Sequence, residues 1–423
     1  MSDSPATAAP PPADPRTAAA GPVASSLGVL GAPLRPPRAR PWQSPGLRWT
    51  FGLLLGVGFT WLSARSWPLD DLFGGTLTIG LDGRGAWTLL LRRAEHGGVL
   101  WSVRLTHVAA YLGLLFAIHW LRVLRWRPLL QPYEDVHVQV LNRVGAVGFM
   151  AVFLLPLRLG ELARPLMLAR STGIGFGTGL GTIAIERVMD GLTVTLVLFA
   201  ALIQVHPDTL ARNPEVRVGA WVAFAVFSVA LGGLAAMGVA RAWTLRMTRA
   251  VLTPLSPKLA DRVAGLAEAF VDGLRVLKSP WHLVQFVALT VVYWGVNGLG
   301  VWLLARGFEV HMPVIAGYAM MACIVVGMMI PNSPGNVGSF WYFLLLPASL
   351  YGVRADAPRT VAFALGVWLL QTLQVSAFGA WGWWAETRAR RAEGDDDDDG
   401  SDDDADDVGD AGVGADQERD RQP

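Results

Sequence analysis

The sequence predicts an all-α polytopic integral membrane protein, with about six full spans and two broken or re-entrant helical hairpins, roughly eight hydrophobic elements. Three observations predict it. Of 423 residues, 52% are hydrophobic and only 16% charged, too apolar a balance for an ordinary soluble fold. Residues 218–240, 283–305 and 360–384 carry no charged side chain, and each run is long enough to cross about 30 Å of hydrocarbon as a helix. Two further apolar stretches are cut by proline and glycine, which a continuous helix does not tolerate.

In chain order, residues 1–46 are rich in Pro and Ala, carry Arg16, Arg35, Arg38 and Arg40, and show no helical or strand period. They are expected to be disordered. The first apolar run is followed by "SARSWPLDD" rather than a small-residue cleavage site, so it is read as a retained span and not a signal peptide. The membrane domain is placed at 47–393, with further spans at 47–64, 105–121 and 174–204, the last interrupted by Glu186, Arg187 and Asp190. Residues 144–157 are apolar but too few to cross a bilayer at about 1.5 Å per residue, so a re-entrant hairpin is expected there. Residues 312–330 run into "PNSPGNVG" at 331–338, after which only 339–353 is apolar, and this is the second expected hairpin. Two broken elements with Pro/Gly tips, entering from opposite faces, are the pattern of a transporter with inverted halves and a mid-membrane site.

The net charge of +1 conceals an asymmetry, because residues 394–423 hold 14 acids against two arginines. That acidic tail is expected to be disordered. Basic residues at span ends stay in the cytoplasm. Arg122, Arg125 and Arg127, the loop at 241–280, and Arg388, Arg390 and Arg391 then orient both termini toward the cytoplasm of an inner (plasma) membrane. Within that loop Leu259, Val263, Leu266, Phe270, Leu274 and Leu277 recur three and four apart, the spacing of an amphipathic helix. Such a helix either lies on acidic headgroups or packs against the other helices.

Candidate chemistry sits in three places. "LLPLRLGELARP" at 154–165 sets Arg158, Glu161 and Arg164 three apart, on one face if the chain is helical after Gly160. Arginine forks and freed helix-terminal amides both suit a phosphate; the plain alternative is a helix end with a solvated ion pair. "AIERVMDG" places Glu186, Arg187 and Asp190 mid-span, where each ionised residue costs about 2.5–3.5 kcal/mol, so they are expected to face a cavity or each other. Here the alternative is a purely structural ion-pair network. "IPNSPGNVGSFW" offers Asn332, Ser333, Pro334, Gly335 and Asn336 as a gate or substrate-lining turn, or else a tight loop outside the membrane. "GIGFGTGLG" lacks nucleotide-loop spacing; its Gly173, Gly177 and Gly181 repeat every four residues, a face that lets helices approach closely. The single cysteine, Cys323, excludes an intrachain disulfide. The seven histidines, at 96, 107, 119, 137, 206, 282 and 311, scatter near span ends and read as interfacial. No catalytic residue, metal site or cofactor is expected, and no nucleic-acid partner.

The order of "RW" then "LL" (Arg125, Trp126, Leu129, Leu130), "PLRLGELAR" (156–164), "ERVMD" (186–190) and "PNSPGNVGSF" followed by "YGV" resembles the lysylphosphatidylglycerol synthase transmembrane, or flippase-like, family over roughly residues 100–385. The resemblance implies a lipid flippase, in the family's best-understood members fused to a soluble domain that moves an aminoacyl group from tRNA to phosphatidylglycerol. This chain is expected to lack that synthase half and not to be an enzyme. The expected function is binding and translocation of an anionic or polyprenyl-phosphate-linked lipid, with Arg158, Arg164 and Arg187 holding phosphate and Glu161, Glu186 and Asp190 orienting or titrating. An intramembrane headgroup-modifying enzyme and a non-transporting scaffold for envelope-biosynthesis partner proteins remain as alternatives. The oligomeric state is not read from the sequence.

Overall fold

Helix α1 (Pro45–Ala64) is followed by the short α2 (Leu69–Phe73) and then by an element the sequence reading does not contain, a three-stranded antiparallel sheet in the order β1 (Gly75–Leu81), β2 (Trp87–Arg93), β3 (Val99–Arg104). The computed structural model describes residues 45–93, 98–155, 160–254, 256–274, 279–329 and 333–402. The expected N-terminal region up to residue 44, Arg158, Asn332 and the tail from 403 lie outside the described residues. The sheet forms because its strands alternate: Leu89 pairs with Val103 and Leu91 with Trp101 on one face, the period-2 pattern of a half-buried ribbon. Trp101 donates from Nε1 to the Leu72 carbonyl at 3.2 Å and lies against Phe308. The β1–β2 turn closes on Asp82, whose Oδ1 accepts from the backbone N–H of Arg84 (2.9 Å) and Ala86 (2.8 Å).

The helical body follows as α3 (Leu105–Leu124), α4 (Arg127–Leu130), α5 (Val138–Leu154), α6 (Ala163–Ser171), α7 (Phe176–Leu202), α8 (Pro207–Ala211), α9 (Pro214–Val239), α10 (Arg241–Leu252), α11 (Pro257–Asp272), α12 (Pro280–Gly307), α13 (Val314–Gly327), α14 (Ser339–Leu345) and α15 (Pro358–Asp402). Proline opens α9 and α12, where its missing N–H has no intrahelical partner to lose. Among the described residues four helices are long and apolar enough to cross a membrane: Leu105–Leu130, Pro214–Met237, Pro280–Gly307 and Pro358–Ala389. They match four of the six expected spans. The other two correspond to α1 and to α7, which has the length but carries Glu186, Arg187 and Asp190.

Both expected breaks fold back on themselves. α5 has 17 residues, about 25 Å of helix, and the chain returns along it: Gly148 abuts the Arg164 side chain and Gly160 abuts the backbone of Ala151. α13 has 14 residues, and α14 returns against it with Phe343 over Gly327. The turn Pro334–Asn336 between them packs on α5, so the tip of the second hairpin meets the first. α15 lies along α5, α12 along α3, and α9 and α13 along α7.

The loop helix takes one of its two expected placements, and one histidine departs from expectation. The amphipathic α11 packs against α7: the backbone of Phe270 and Gly273 comes so close to Gly181 that a Cβ there would sit 2.4 Å from the Phe270 oxygen. The small-residue face of Gly177 and Gly181 therefore receives this loop helix, while Gly173 lies before α7 against Glu134. His119 is not interfacial. It is buried in α3, hydrogen-bonded through Nε2 to Asn142 Oδ1 at 2.8 Å and stacked on Phe378 at 3.9 Å.

Candidate arginine-lined cavity

Two apolar clusters fill the body, one ending along α7 at Val188 and the other beginning at Val194. Asp190 falls in the gap, and a polar layer is built around it. The 3.6-residue repeat puts Glu186 and Asp190 on the same face of α7, turned toward the last turn of α3. Arg125 at that helix end meets both: its Nη2 lies 2.9 Å from Glu186 Oε1 and 2.8 Å from Asp190 Oδ2, its Nη1 bonds Asp190 Oδ1, and its guanidinium lies 4.3 Å from the Tyr293 ring. Trp294 donates from Nε1 to Asp190 Oδ1 at 3.0 Å. From the returning hairpin, Arg164 reaches Glu186 with Nη1 at 3.1 Å from Oε1 and Nη2 at 2.9 Å from Oε2, and packs over Trp126 and Phe149. Arg187 Nη2 also donates to Glu186 Oε1, at 3.1 Å.

Burial divides these arginines into two kinds. The side chains of Arg125 and Arg164 are 1% and 2% exposed, and those of Glu186 and Asp190 0% and 2%. Arg187 is 21% exposed. It opens, together with Arg122, onto a cavity of about 170 Å³ between α3, α5, α7, α12, α13 and α15, closed on one side by Asn336 and Phe340 of the second hairpin. Arg122 lies one helical turn before Arg125, with its guanidinium 3.7 Å from the centre of the Phe149 ring. Among the described residues no carboxylate comes within ion-pairing distance of it. Glu161 lies near enough to Arg187 for their charges to interact, so among the described residues four arginines in this layer face three carboxylates.

The structure therefore brings together Arg164, Arg187, Glu186, Asp190 and Glu161 as the sequence pattern anticipates, and adds Arg122 and Arg125, which sequence reasoning treats as basic residues marking a cytoplasmic span end and, for Arg125, as part of the family motif, not as site residues. The signal that pointed to them is arithmetic. Two acids in mid-span demand cationic partners at the same depth, and an Arg-x-x-Arg at the end of an adjacent span supplies them. Arg158 lies outside the described residues. Of the gate residues, Ser333 and Asn336 are buried, Ser333 Oγ donating to the Val337 carbonyl at 2.8 Å, and the Gly335 carbonyl accepts from Trp368 Nε1 at 2.9 Å. Asn336 lines the cavity, whereas Ser333 and Pro334 line a separate apolar groove against α1; Asn332 is outside the described residues. No group of His, Cys, Asp and Glu fit to hold a metal is found among the described residues.

A family model described as the lysylphosphatidylglycerol synthase TM region matches residues 85–379. The chain belongs to that family. Every residue of the arginine layer and of the second hairpin falls within the matched region, whereas α1, α2 and β1 precede it. A curated relative, the glycosyltransferase AglD of Haloferax volcanii, is 26% identical over 318 residues, covering 67% of this chain and 49% of the relative. The chain spans about half the length of that protein. No solved structure matches it. Membership of the lysylphosphatidylglycerol synthase TM region family, together with the apolar helices, makes this a multi-pass membrane protein with a function concerned with membrane lipids.

Proposed function

We propose that the protein binds the phosphate of an anionic lipid, a phospholipid or a polyprenyl-phosphate-linked carrier, in the arginine-lined cavity and carries it across the plasma membrane. The observation that carries this reading is the division of labour among the arginines. Arg125 and Arg164 are consumed by Glu186 and Asp190, whereas Arg122, with no carboxylate partner among the described residues, and the partly exposed Arg187 face the cavity. An arginine at membrane depth is costly unless an anion meets it, and its fork suits phosphate oxygens. The meeting of two oppositely broken hairpins at the cavity supports alternating access around a fixed site. In this reading six spans cross fully, the two hairpins are re-entrant and both termini are cytoplasmic.

The same geometry disfavours headgroup chemistry by Glu186 or Asp190, because a general base must reach its proton and both carboxylates are enclosed by guanidinium groups. In proteoliposomes, a fluorescent anionic phospholipid should cross faster than its phosphatidylcholine analogue. Arg122→Gln and Arg187→Gln should each weaken anionic-lipid binding roughly tenfold or more, the loss of one charge-assisted contact worth about 1.5–3 kcal/mol. Arg187→Lys should recover only part of the loss, since lysine lacks the fork. Equal movement of both lipids by the wild type and both glutamine variants would remove the phosphate site, and binding without movement would favour the scaffold reading.

A further inference from the structure

Two arginines account for one charge on a ligand, but they are the minority of the polar groups that face the cavity. Besides Tyr293 and Trp294, whose Nε1 donates to Asp190, the rest are side-chain carboxamides brought from three separate elements: Asn297 on α12, Asn336 on the second hairpin, and Gln371 and Gln374 on α15. No Asp or Glu lines the cavity among the described residues. Resting on the anionic-lipid reading above, we infer that the headgroup accepted here is a phosphodiester bearing neutral hydroxyl groups, of the glycerol or sugar kind, and that an aminoacylated or otherwise ammonium-bearing headgroup is excluded.

The hydrogen-bonding inventory carries the first half. Asn297 donates Nδ2 to the Tyr293 carbonyl at 2.7 Å, so its amide nitrogen is fixed on the helix and its Oδ1 remains as an acceptor. Gln371 shares one end of its amide with the Tyr111 hydroxyl at 3.1 Å. Gln374, one turn further along α15 and beside Arg122, has neither end engaged among the described residues. A carboxamide offers donor and acceptor a fixed distance apart, and a hydroxyl is itself donor and acceptor. The pair match without either carrying charge.

The second half rests on what surrounds a cation would need. An ammonium group entering this cavity meets Arg122 and Arg187, both of its own sign. Of the layer's carboxylates, Glu186 and Asp190 lie behind arginines, and Glu161 is not among the lining residues. Of the aromatic rings in the lining, Tyr293 is already met by Arg125 and Phe149 by Arg122 and Arg164, which leaves Phe153, Trp294 and Phe340. Like charge in a low-dielectric site is repulsive, and no carboxylate among the described lining residues offsets it.

The test measures binding of four lipids to the purified full chain in nanodiscs: phosphatidylglycerol, phosphatidylmethanol, lysyl-phosphatidylglycerol and phosphatidylcholine. Phosphatidylmethanol has the same phosphodiester charge with no hydroxyl. Phosphatidylglycerol should bind about fivefold or more tightly than phosphatidylmethanol, the worth of one net hydrogen bond, and lysyl-phosphatidylglycerol should bind more weakly than either. Gln374→Leu should erase the difference between the first two by weakening phosphatidylglycerol. Gln374→Glu, which keeps the shape of the side chain, should weaken phosphatidylglycerol and strengthen the lysyl lipid. Equal binding of phosphatidylglycerol and phosphatidylmethanol by the wild type, or tighter binding of the lysyl lipid, overturns the inference while the anionic reading stands. Equal binding of phosphatidylmethanol and phosphatidylcholine overturns the anionic reading itself.

Discussion

Arg125 holds both carboxylate oxygens of Asp190, with Nη2 2.8 Å from Oδ2 and Nη1 on Oδ1, and thereby ties the end of α3 to the middle of α7. Because Arg125 also reaches Glu186, removing it would leave two buried carboxylates short of positive charge.

Arg125→Leu is accordingly expected to act on the fold and not on lipid selectivity. Breaking a buried pair by deleting one partner costs about 3–5 kcal/mol, and here the deletion leaves Asp190, among the described residues, only the Trp294 N–H. Fluorescence-detected gel filtration after graded heating should show a large loss of folded Arg125→Leu protein, while Arg122→Gln, whose parent side chain holds no ion pair among the described residues, should melt close to wild type. Matching profiles for the two variants would refute the division between structural and cavity-facing arginines.

Gly148→Ala should disturb the same layer from the opposite side. A Cβ at this position would lie 2.1 Å from Arg164 Cγ, and Arg164 cannot retreat without leaving Glu186, which its Nη1 and Nη2 hold. Overpacking of this kind costs about 1–3 kcal/mol. Combined with Arg164→Leu, the two losses should be less than additive; full additivity, measured by thermal denaturation, would mean that the contact does not constrain Arg164.

The proposed orientation places α8 outside and α10 inside. Single cysteines at the exposed positions Asp208 and Arg249, in a Cys323→Ala background, should separate the two. A membrane-impermeant maleimide should label position 208 in intact cells and position 249 only after permeabilisation. The reverse pattern would invert the topology and with it the cytoplasmic assignment of both termini.

The β1–β2 turn, outside the candidate membrane-spanning helices, provides a pH-dependent marker. The backbone N–H of Ala86, then that of Arg84, holds the Asp82 carboxyl below its usual value of 3.8, and Arg104 adds to the effect with Nε 3.0 Å from Oδ2. A depressed carboxylate contributes stability that is present above its unfolded pKa and is lost as pH falls through the folded one. Hydrogen-exchange protection of the 82–86 turn, corrected for the intrinsic rate, should therefore stay level from pH 8 to about 5 and fall only below pH about 4. Asp82→Asn should flatten that acid dependence; an unchanged profile would show that another group controls the turn.

Much of this protein is legible in its sequence because a bilayer reads local properties. Spans at α3, α9, α12 and α15 follow from uninterrupted apolar length, and the two hairpins follow from Pro156, Gly160 and the "PNSPGNVG" break, since proline and glycine act within a turn of where they stand. The cost of charge at depth likewise marks Glu186, Arg187 and Asp190 without any knowledge of neighbours. What answers those charges is not local. Arg125 is 65 positions from Asp190, and only the approach of the end of α3 and of α6 to α7 decides that Arg125 and Arg164 are spent on the carboxylates while Arg122 and Arg187 remain for the cavity. The same holds for His119, whose burial depends on Asn142 and Phe378 arriving from other helices, and for the 75–104 sheet, whose strands are held by register and by Trp101 against Leu72 and Phe308. Ion pairing and hydrogen bonding act over about 3–4 Å, so tertiary packing alone determines which partners fall within that reach.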